Sequence, residues 1–238
     1  MHISYWCVLM RMVSVIIPTL NEENTIREVI RNIPSKLLKR LGYECEIIVV
    51  DGGSTDKTVE YALMMNARVV RVNRRGYGLA YIVGFRYAKG DIIVTLDADM
   101  TYPPKAIPLL VRILEEYNLD FVTTNRFAKY DEGAFSPVRL AGNKLINILM
   151  YLLFGLNIKD TQSGMWCFRR EILKKIDPKC YGMEFSTEIK LEAFRKVRSV
   201  EVPIHYRRRE GGRSKIKIFK DGFRILSFLI YKRFFSFP

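Results

Sequence analysis

Short apolar runs, each closed by a carboxylate, a proline or a turn residue, recur through the first half of the chain. Val13-Ser14-Val15-Ile16-Ile17-Pro18 predicts a first strand, with Pro18 at its end where no ladder donor is needed. Glu46-Ile47-Ile48-Val49-Val50-Asp51 predicts a second, buried strand. Arg68 to Val72 gives a short third, Asp91 to Leu96 a fourth, and Leu119 to Thr124 a fifth. Helical spacing fills the gaps. Asn21 is the expected N-cap of the first helix, with Ile26, Val29, Ile30 and Ile33 on one face. Gly52-Gly53-Ser54 makes a turn after which Ser54 or Thr55 caps the next helix. Gly76-Tyr77-Gly78 leads into an Ala-rich helix as close backbone packing or a plain turn, and Pro103-Pro104 starts another helix. Strands alternating with helices indicate an α/β layered sheet.

The second half is patterned differently. Residues 137–158 contain Leu145 to Phe154, which read as a helix apolar nearly all round, too short to cross a bilayer and suited to a core or an interface. Asp160-Thr161-Gln162-Ser163-Gly164 is a polar loop, and Trp166-Cys167-Phe168 a short strand. A helix from about Glu184 to Lys196 carries Glu184 and Glu188 on one face. Val200 to Tyr206 is extended, and a basic loop runs from Arg207 to Lys215. From Lys217 to Tyr231 the spacing is again helical. Ile218, Phe219, Phe223, Ile225, Leu226, Leu229 and Ile230 share one broad face, opposite Lys217, Lys220, Asp221 and Arg224. A basic amphipathic helix followed by Lys232, Arg233, Phe234 and Phe235 has the pattern of one lying in a membrane interface; the alternative is a helix docked on the core.

The length, 238 residues with 49% hydrophobic, suits one domain with an appendage. A formal net charge of +14 points to an anionic partner: nucleic acid, a membrane surface or a phosphorylated ligand. Nucleic acid is set aside, because no recognised helix motif or sheet of interleaved basic and aromatic residues is present. Cys7, Cys45, Cys167 and Cys180 form no CxxC pair, which argues for free thiols in a reducing compartment and against zinc. No apolar run reaches the ~18 residues a spanning helix needs. Residues 1–12 lack the basic flank and cleavage site of a signal peptide and are expected to be an extension ahead of a domain at 13–216, with 217–238 as the amphipathic segment.

Asp97-Ala98-Asp99 is the strongest candidate for chemistry. Two carboxylates sit one residue apart where the fourth strand ends, and ligands of an open parallel sheet bind outside such strand ends. They repel unless neutralised, and a hard divalent cation carrying substrate phosphates does this. The glycine pair at 76 and 78 lacks both the lysine of a Walker motif and the spacing of a dinucleotide fingerprint. His205 reads as structural, since only two histidines, His2 and His205, are present.

Taken as a set, Val15-Ile16-Ile17-Pro18-Thr19-Leu20-Asn21-Glu22-Glu23, Val49-Val50-Asp51-Gly52-Gly53-Ser54-Thr55-Asp56 and Leu96-Asp97-Ala98-Asp99 resemble the family 2 inverting glycosyltransferases of GT-A fold. The Asp160–Gly164 loop and Arg209-Glu210-Gly211-Gly212-Arg213-Ser214-Lys215 resemble the dolichyl-phosphate mannose synthase-like branch, across residues 13 to about 230. The resemblance implies an open, mostly parallel GT-A sheet flanked by helices, with a C-terminal amphipathic helix at the membrane interface. It implies transfer of a hexose, mannose favoured, from a nucleotide-diphosphate sugar to dolichyl or polyprenyl phosphate, with Mg²⁺ or Mn²⁺. GDP-mannose is the favoured donor and UDP-glucose the alternative; a glycan acceptor would need a carboxylate base, for which Glu184 and Glu188 are the candidates. Pro18, Leu20 and Glu22 would line the base pocket, with Val49 and Asp51 opposite. Asp97, Ala98 and Asp99 would meet the ribose and the metal-bound diphosphate, with Asp99 and Thr101 on the metal side, where the family often has Gln in place of Thr101. Arg209 and Lys215 would close over the diphosphate. Arg126 and Arg139 would hold the acceptor phosphate, with Asn143 one helical turn further on. Relatives in this branch often carry C-terminal transmembrane helices; here attachment is expected to be peripheral, on the cytoplasmic face.

Overall fold

The computed structural model describes residues 11–210 and 217–235. Within them a seven-stranded mixed sheet has the order β3-β2-β1-β4-β6-β5-β7. The strands are β1 (Arg11–Thr19), β2 (Tyr43–Asp51), β3 (Arg68–Arg71), β4 (Ile92–Thr95), β5 (Phe121–Tyr130), β6 (Trp166–Arg169) and β7 (Ser199–Tyr206). β1, β2, β3 and β4 run parallel, β6 is antiparallel to both β4 and β5, and β7 pairs parallel with β5. β1 is central and covered on both faces, which is why its interior reads as a near-continuous apolar run. Alternate residues serve the two faces: Val13, Val15 and Ile17 enter one core, Ile16 the other.

The first core lies under α1 (Ile26–Arg31), α2 (Ser35–Arg40), α3 (Thr58–Met64) and α5 (Ile107–Glu116). The second lies under α4 (Tyr77–Tyr87), α7 (Leu173–Ile176) and α8 (Phe185–Lys196), where Tyr81, Phe85, Trp166, Phe168 and Phe185 pack ring on ring. A smaller third core joins α6 (Pro137–Phe154) and α9 (Ile218–Phe234) to α8 through Ile146, Met150, Leu191, Ile225 and Leu229. Ser136 caps α6 by accepting from the Arg139 N–H, and Gly155, at φ 71°, ends it in the left-handed conformation.

Several local expectations are corrected. Asn21 does not cap α1, which begins at Ile26; its side chain accepts from the Thr55 N–H at 2.8 Å, and its own N–H donates to Ser54 Oγ at 2.9 Å. Ser54 and Thr55 therefore tie two loops together, and Asp56 takes their expected role by accepting from the Thr58 N–H at 3.0 Å. β1 begins at Arg11, ahead of the expected start at Val13, because Arg11 and Met12 continue the ladder with Tyr43 and Glu44. β5 runs on to Tyr130, where Lys129 and Tyr130 rejoin β7 after a register shift.

After β1 the chain moves outward to β2 and β3, then returns to β1's other side as β4. This reversal opens a crevice at the carboxyl ends of β1 and β4. No helix among the described residues is long and apolar enough to cross a membrane.

Candidate active site

A cavity of about 380 Å³ fills that crevice. Pro18, Leu20 and Glu22 line it from the end of β1, and Asp97, Ala98, Asp99 and Thr101 from the turn after β4. Arg126 (β5), Arg139 (α6) and Arg209 (after β7) complete the convergence of residues distant in sequence.

Asp99 is held from two sides. Its Oδ1 accepts from the Thr101 N–H at 3.1 Å and from the Thr101 hydroxyl at 2.6 Å, and its Oδ2 meets Arg209 Nη2 at 2.6 Å. Arg209 also reaches Glu22 Oε1 at 3.3 Å, so one guanidinium bridges the two strand ends. As placed, Thr101 orients Asp99. Asp97 is less supported: among the described residues its side chain has one long contact, from the Tyr81 hydroxyl at 3.4 Å. Burial, then the charge of Asp99, pushes the Asp97 carboxyl up to about 7, against the pull of Arg126 and Arg209. Asp97 is therefore a buried carboxyl that its neighbours only partly stabilise as an anion.

A divalent cation fits this donor set. Two hard carboxylates line the cavity, and among the described residues no three His, Cys, Asp or Glu side chains are grouped so that they could hold a metal ion by themselves. The protein would supply few ligands and a bound diphosphate the others, the usual arrangement for Mg²⁺.

Arg126 is built into the domain. Asp160 takes Arg126 Nε at 2.7 Å, Nη2 at 2.8 Å and the backbone N–H at 2.9 Å. The Arg126 guanidinium carbon lies 5.3 Å from the ring centres of both Phe135 and Tyr206. Burial raises the Asp160 carboxyl, but the charge and hydrogen bonds of Arg126 outweigh it and hold it below its ordinary range. Arg139 faces the same cavity beside Phe135.

The Asp160–Gly164 loop forms the floor. Thr95 Oγ1 donates to Gly164 O at 2.7 Å, the Gly164 N–H donates to the Tyr102 hydroxyl at 2.7 Å, and Thr124 and Ser163 hydroxyls meet at 2.6 Å. A Cβ on Gly164 would lie 2.6 Å from the Tyr77 hydroxyl and 3.4 Å from Asp97 Oδ1. The glycine pair near α4 is close backbone packing: a Cβ on Gly76 would stand 2.6 Å from Tyr181 O, and one on Gly78 would collide with Cys180 O.

Other sequence candidates stand apart from the lining. Val49 is in the first core, and Asp51 turns its carboxylate onto the N–H groups of Gly53 and Ser54 at 3.2 and 3.1 Å, holding the turn whose Gly52 does line the cavity. Asn143 is partly exposed on α6 outside the lining, and Lys215 falls outside the described residues. Glu184 pairs with Arg224 at 2.8 Å, and Glu188 accepts from the N–H groups of Lys179 and Cys180, so neither is placed as a base. His205 meets Asp131 at 2.7 Å on the surface, a pairing its own motif does not reveal. Tyr77, Tyr102, Gln162, Tyr206 and Arg208 line the cavity without having been singled out. For Gln162 the signal was its motif; for the tyrosines none was legible.

A mostly parallel sheet with paired carboxylates at its switch point has the architecture of the GT-A fold. The chain belongs to glycosyl transferase family 2, whose profile it matches over residues 14–177. It is 34% identical over 220 residues to the low-salt glycan biosynthesis hexosyltransferase Agl6 of Haloferax volcanii, a match covering 91% of this chain and 52% of that protein; the chain thus spans about half the length of that curated relative. Among solved structures it is similar to glucosyl-3-phosphoglycerate synthase of Mycobacterium tuberculosis. The complex with Mn²⁺, UDP and glucosyl-3-phosphoglycerate superposes at a TM-score of 0.77 with 27% identity, covering 96% of this chain and 81% of that one. The complex with Mn²⁺, UDP-glucose and phosphoglyceric acid gives 0.76 and 26%, over 94% and 79%.

Proposed function

We propose that this chain transfers a hexosyl group from a nucleotide-diphosphate sugar to the phosphate of a dolichyl or polyprenyl phosphate. GDP-mannose is the favoured donor and UDP-glucose the alternative. The observation that carries this reading is one cavity with a carboxylate turn at one end, Asp97 and Asp99, and Arg126 and Arg139 lining it from β5 and α6. An acceptor phosphate oxygen attacks the anomeric carbon, the bond from that carbon to the diphosphate oxygen breaks with its electron pair, and the nucleoside diphosphate leaves with inversion at carbon. The acceptor is already an anion, so no general base is required, which agrees with Glu184 and Glu188 being engaged elsewhere. Arg126, fixed by Asp160, and Arg139 bind and orient the acceptor phosphate; arginine's planar fork suits it. Arg209 leaves Asp99 for the diphosphate when the donor binds. A divalent cation held by Asp97 and Asp99 would neutralise charge on the leaving group.

Membrane attachment, peripheral and on the cytoplasmic face, is part of this proposal. α9 docks through Ile225 and Leu229, yet leaves Phe219 85% and Phe223 72% exposed beside Lys220. On α6, Leu145, Ile148 and Leu152 form an exposed stripe at helical spacing. Apolar side chains among basic residues suit the headgroup boundary of an anionic bilayer.

A second reading, UDP-glucose with a small phosphorylated acceptor, is favoured by the ligands of the mycobacterial synthase. A donor screen decides between them. Labelled GDP-mannose and UDP-glucose are each incubated with Mn²⁺ and either polyprenyl phosphate or phosphoglyceric acid. Label entering the organic phase supports the lipid acceptor; label confined to a water-soluble phosphorylated product overturns it.

A further inference from the structure

One buried charge has no part in the chemistry above. Lys190, on α8, has none of its surface exposed, and its Nζ donates to the backbone carbonyl of Asp160 at 2.6 Å. From the other side Glu201, on β7, accepts the Asp160 N–H at 2.8 Å and the Lys159 N–H at 2.9 Å. The Gln162 N–H closes the turn onto Asp160 Oδ1 at 3.2 Å. The peptide units on both sides of Asp160 are therefore clamped, one by the Lys190 amine and the other by the Glu201 carboxylate, while the Asp160 side chain grips Arg126. Burying an amine costs several kcal/mol, and an apolar side chain of similar volume would fill the same space without that cost. Burial, helped by the charge of Arg126, lowers the Lys190 amine to about 7 against the opposing charges of Asp160 and Glu201.

We infer that Lys190, together with Glu201, is a positioning residue for Arg126: it fixes the backbone of Asp160 so that the Arg126 guanidinium meets the acceptor phosphate in one orientation. The inference rests on Arg126 binding that phosphate. Two of the three guanidinium nitrogens are committed to Asp160. Whatever sets the position and angle of Asp160 therefore sets where Nη1 is presented. Distant supporting partners of a liganding group commonly contribute about 10–100-fold to its affinity.

The test measures binding of a short-chain polyprenyl phosphate by calorimetry, with the nucleotide of the active donor as a control ligand and thermal unfolding in parallel. Lys190→Met is expected to weaken the lipid phosphate about tenfold and to leave nucleotide affinity unchanged. Glu201→Gln should act in the same direction and more weakly, since the amide retains one acceptor oxygen. Combined with Arg126→Lys, the lysine variant should add little further loss, because both act through one guanidinium. A Lys190→Met protein that is less stable but binds the lipid phosphate as wild type does overturns the positioning role and leaves a packing one. If Lys190→Met does not fold, Glu201→Gln decides by the same criterion. If Arg126→Lys itself leaves acceptor affinity unchanged, the acceptor reading fails, and the role of Lys190 with it. If only the Lys190 and Glu201 variants are silent, the acceptor reading stands and this inference alone is refuted.

Discussion

Replacing Asp160 by Asn would strand Arg126 in the interior. The Asp160 carboxylate accepts four N–H groups: Arg126 Nε, Nη2 and N, and Gln162 N, at 2.7 to 3.2 Å. An amide of the same shape offers one oxygen and turns an NH₂ donor toward another donor. Both partners are almost fully buried, with side-chain exposures of 6% and 0%, so water cannot compensate the guanidinium. Breaking such a pair typically costs about 3–5 kcal/mol. For a domain of this size each kcal/mol moves the midpoint by about 2–4 °C, so Asp160→Asn should unfold about 6–20 °C lower. Thermal and urea unfolding followed by circular dichroism measure this. Adding Arg126→Met should return most of the loss, because the uncompensated charge is then gone. The acid limb has a definite sign. The folded Asp160 carboxyl lies below its unfolded value near 3.8, so its contribution is fully present above that pH and is lost as pH falls through the folded value; the Asn variant lacks this component. An Asp160→Asn protein within about 1 kcal/mol of wild type would refute the reasoning, since the pair would then have to be open to solvent.

Chelation should abolish transfer and Mn²⁺ or Mg²⁺ restore it, while Asp99→Ala lowers transfer by orders of magnitude with the unfolding midpoint little changed; full activity of that variant in chelator would refute the role of Asp99. The Lys190 amine, near 7 when folded and near 10.5 when unfolded, releases a proton on folding between those values, so wild-type stability should rise from pH 7 toward 10.5 relative to Lys190→Met, as urea midpoints would show. Phe219→Ser with Phe223→Ser should reduce co-sedimentation with anionic liposomes without lowering the unfolding midpoint, because both rings are exposed and neither packs in the third core; unchanged co-sedimentation removes this face as the anchor. Gly164→Ala should destabilise by about 1–3 kcal/mol through overpacking and reduce turnover at least tenfold by displacing Tyr77 and Asp97, as steady-state assays would detect.

The nucleotide half was legible because its signals are local. Buried parallel strands read as apolar runs, and Asp97 and Asp99 stand beside the run that positions them. Helix starts were less legible, since Asn21 and Ser54 satisfy each other across loops 33 residues apart in sequence. The arginine side of the cavity was legible only through the resemblance. Arg126, Asp160, Lys190 and Glu201 lie on four segments and acquire meaning only when β6 inserts antiparallel and brings them together. Lys190 carried no signal of its own. α8 is buried nearly all round, so its lysine and glutamates resemble an ordinary solvated helix face until the partners are seen. The C-terminal helix was read as docked or interfacial; it docks through Ile225 and Leu229 and leaves its phenylalanines outward.

The place of β6 in the sheet also bears on how such a protein can diverge. Strands β1 and β4 position the carboxylate turn and Glu22, and β5, α6 and the segment after β7 carry the arginines, with the antiparallel β6 as the seam between them. The seam does not divide the cores: both large hydrophobic clusters run across it, and Arg209, from after β7, reaches back to Asp99 and Glu22. A change of the arginines on β5 or α6 therefore leaves the direct contacts of the carboxylate turn in place, whereas a change of Arg209 removes one of them, so freedom to diverge in this crevice belongs to particular residues and not to one half of the sheet.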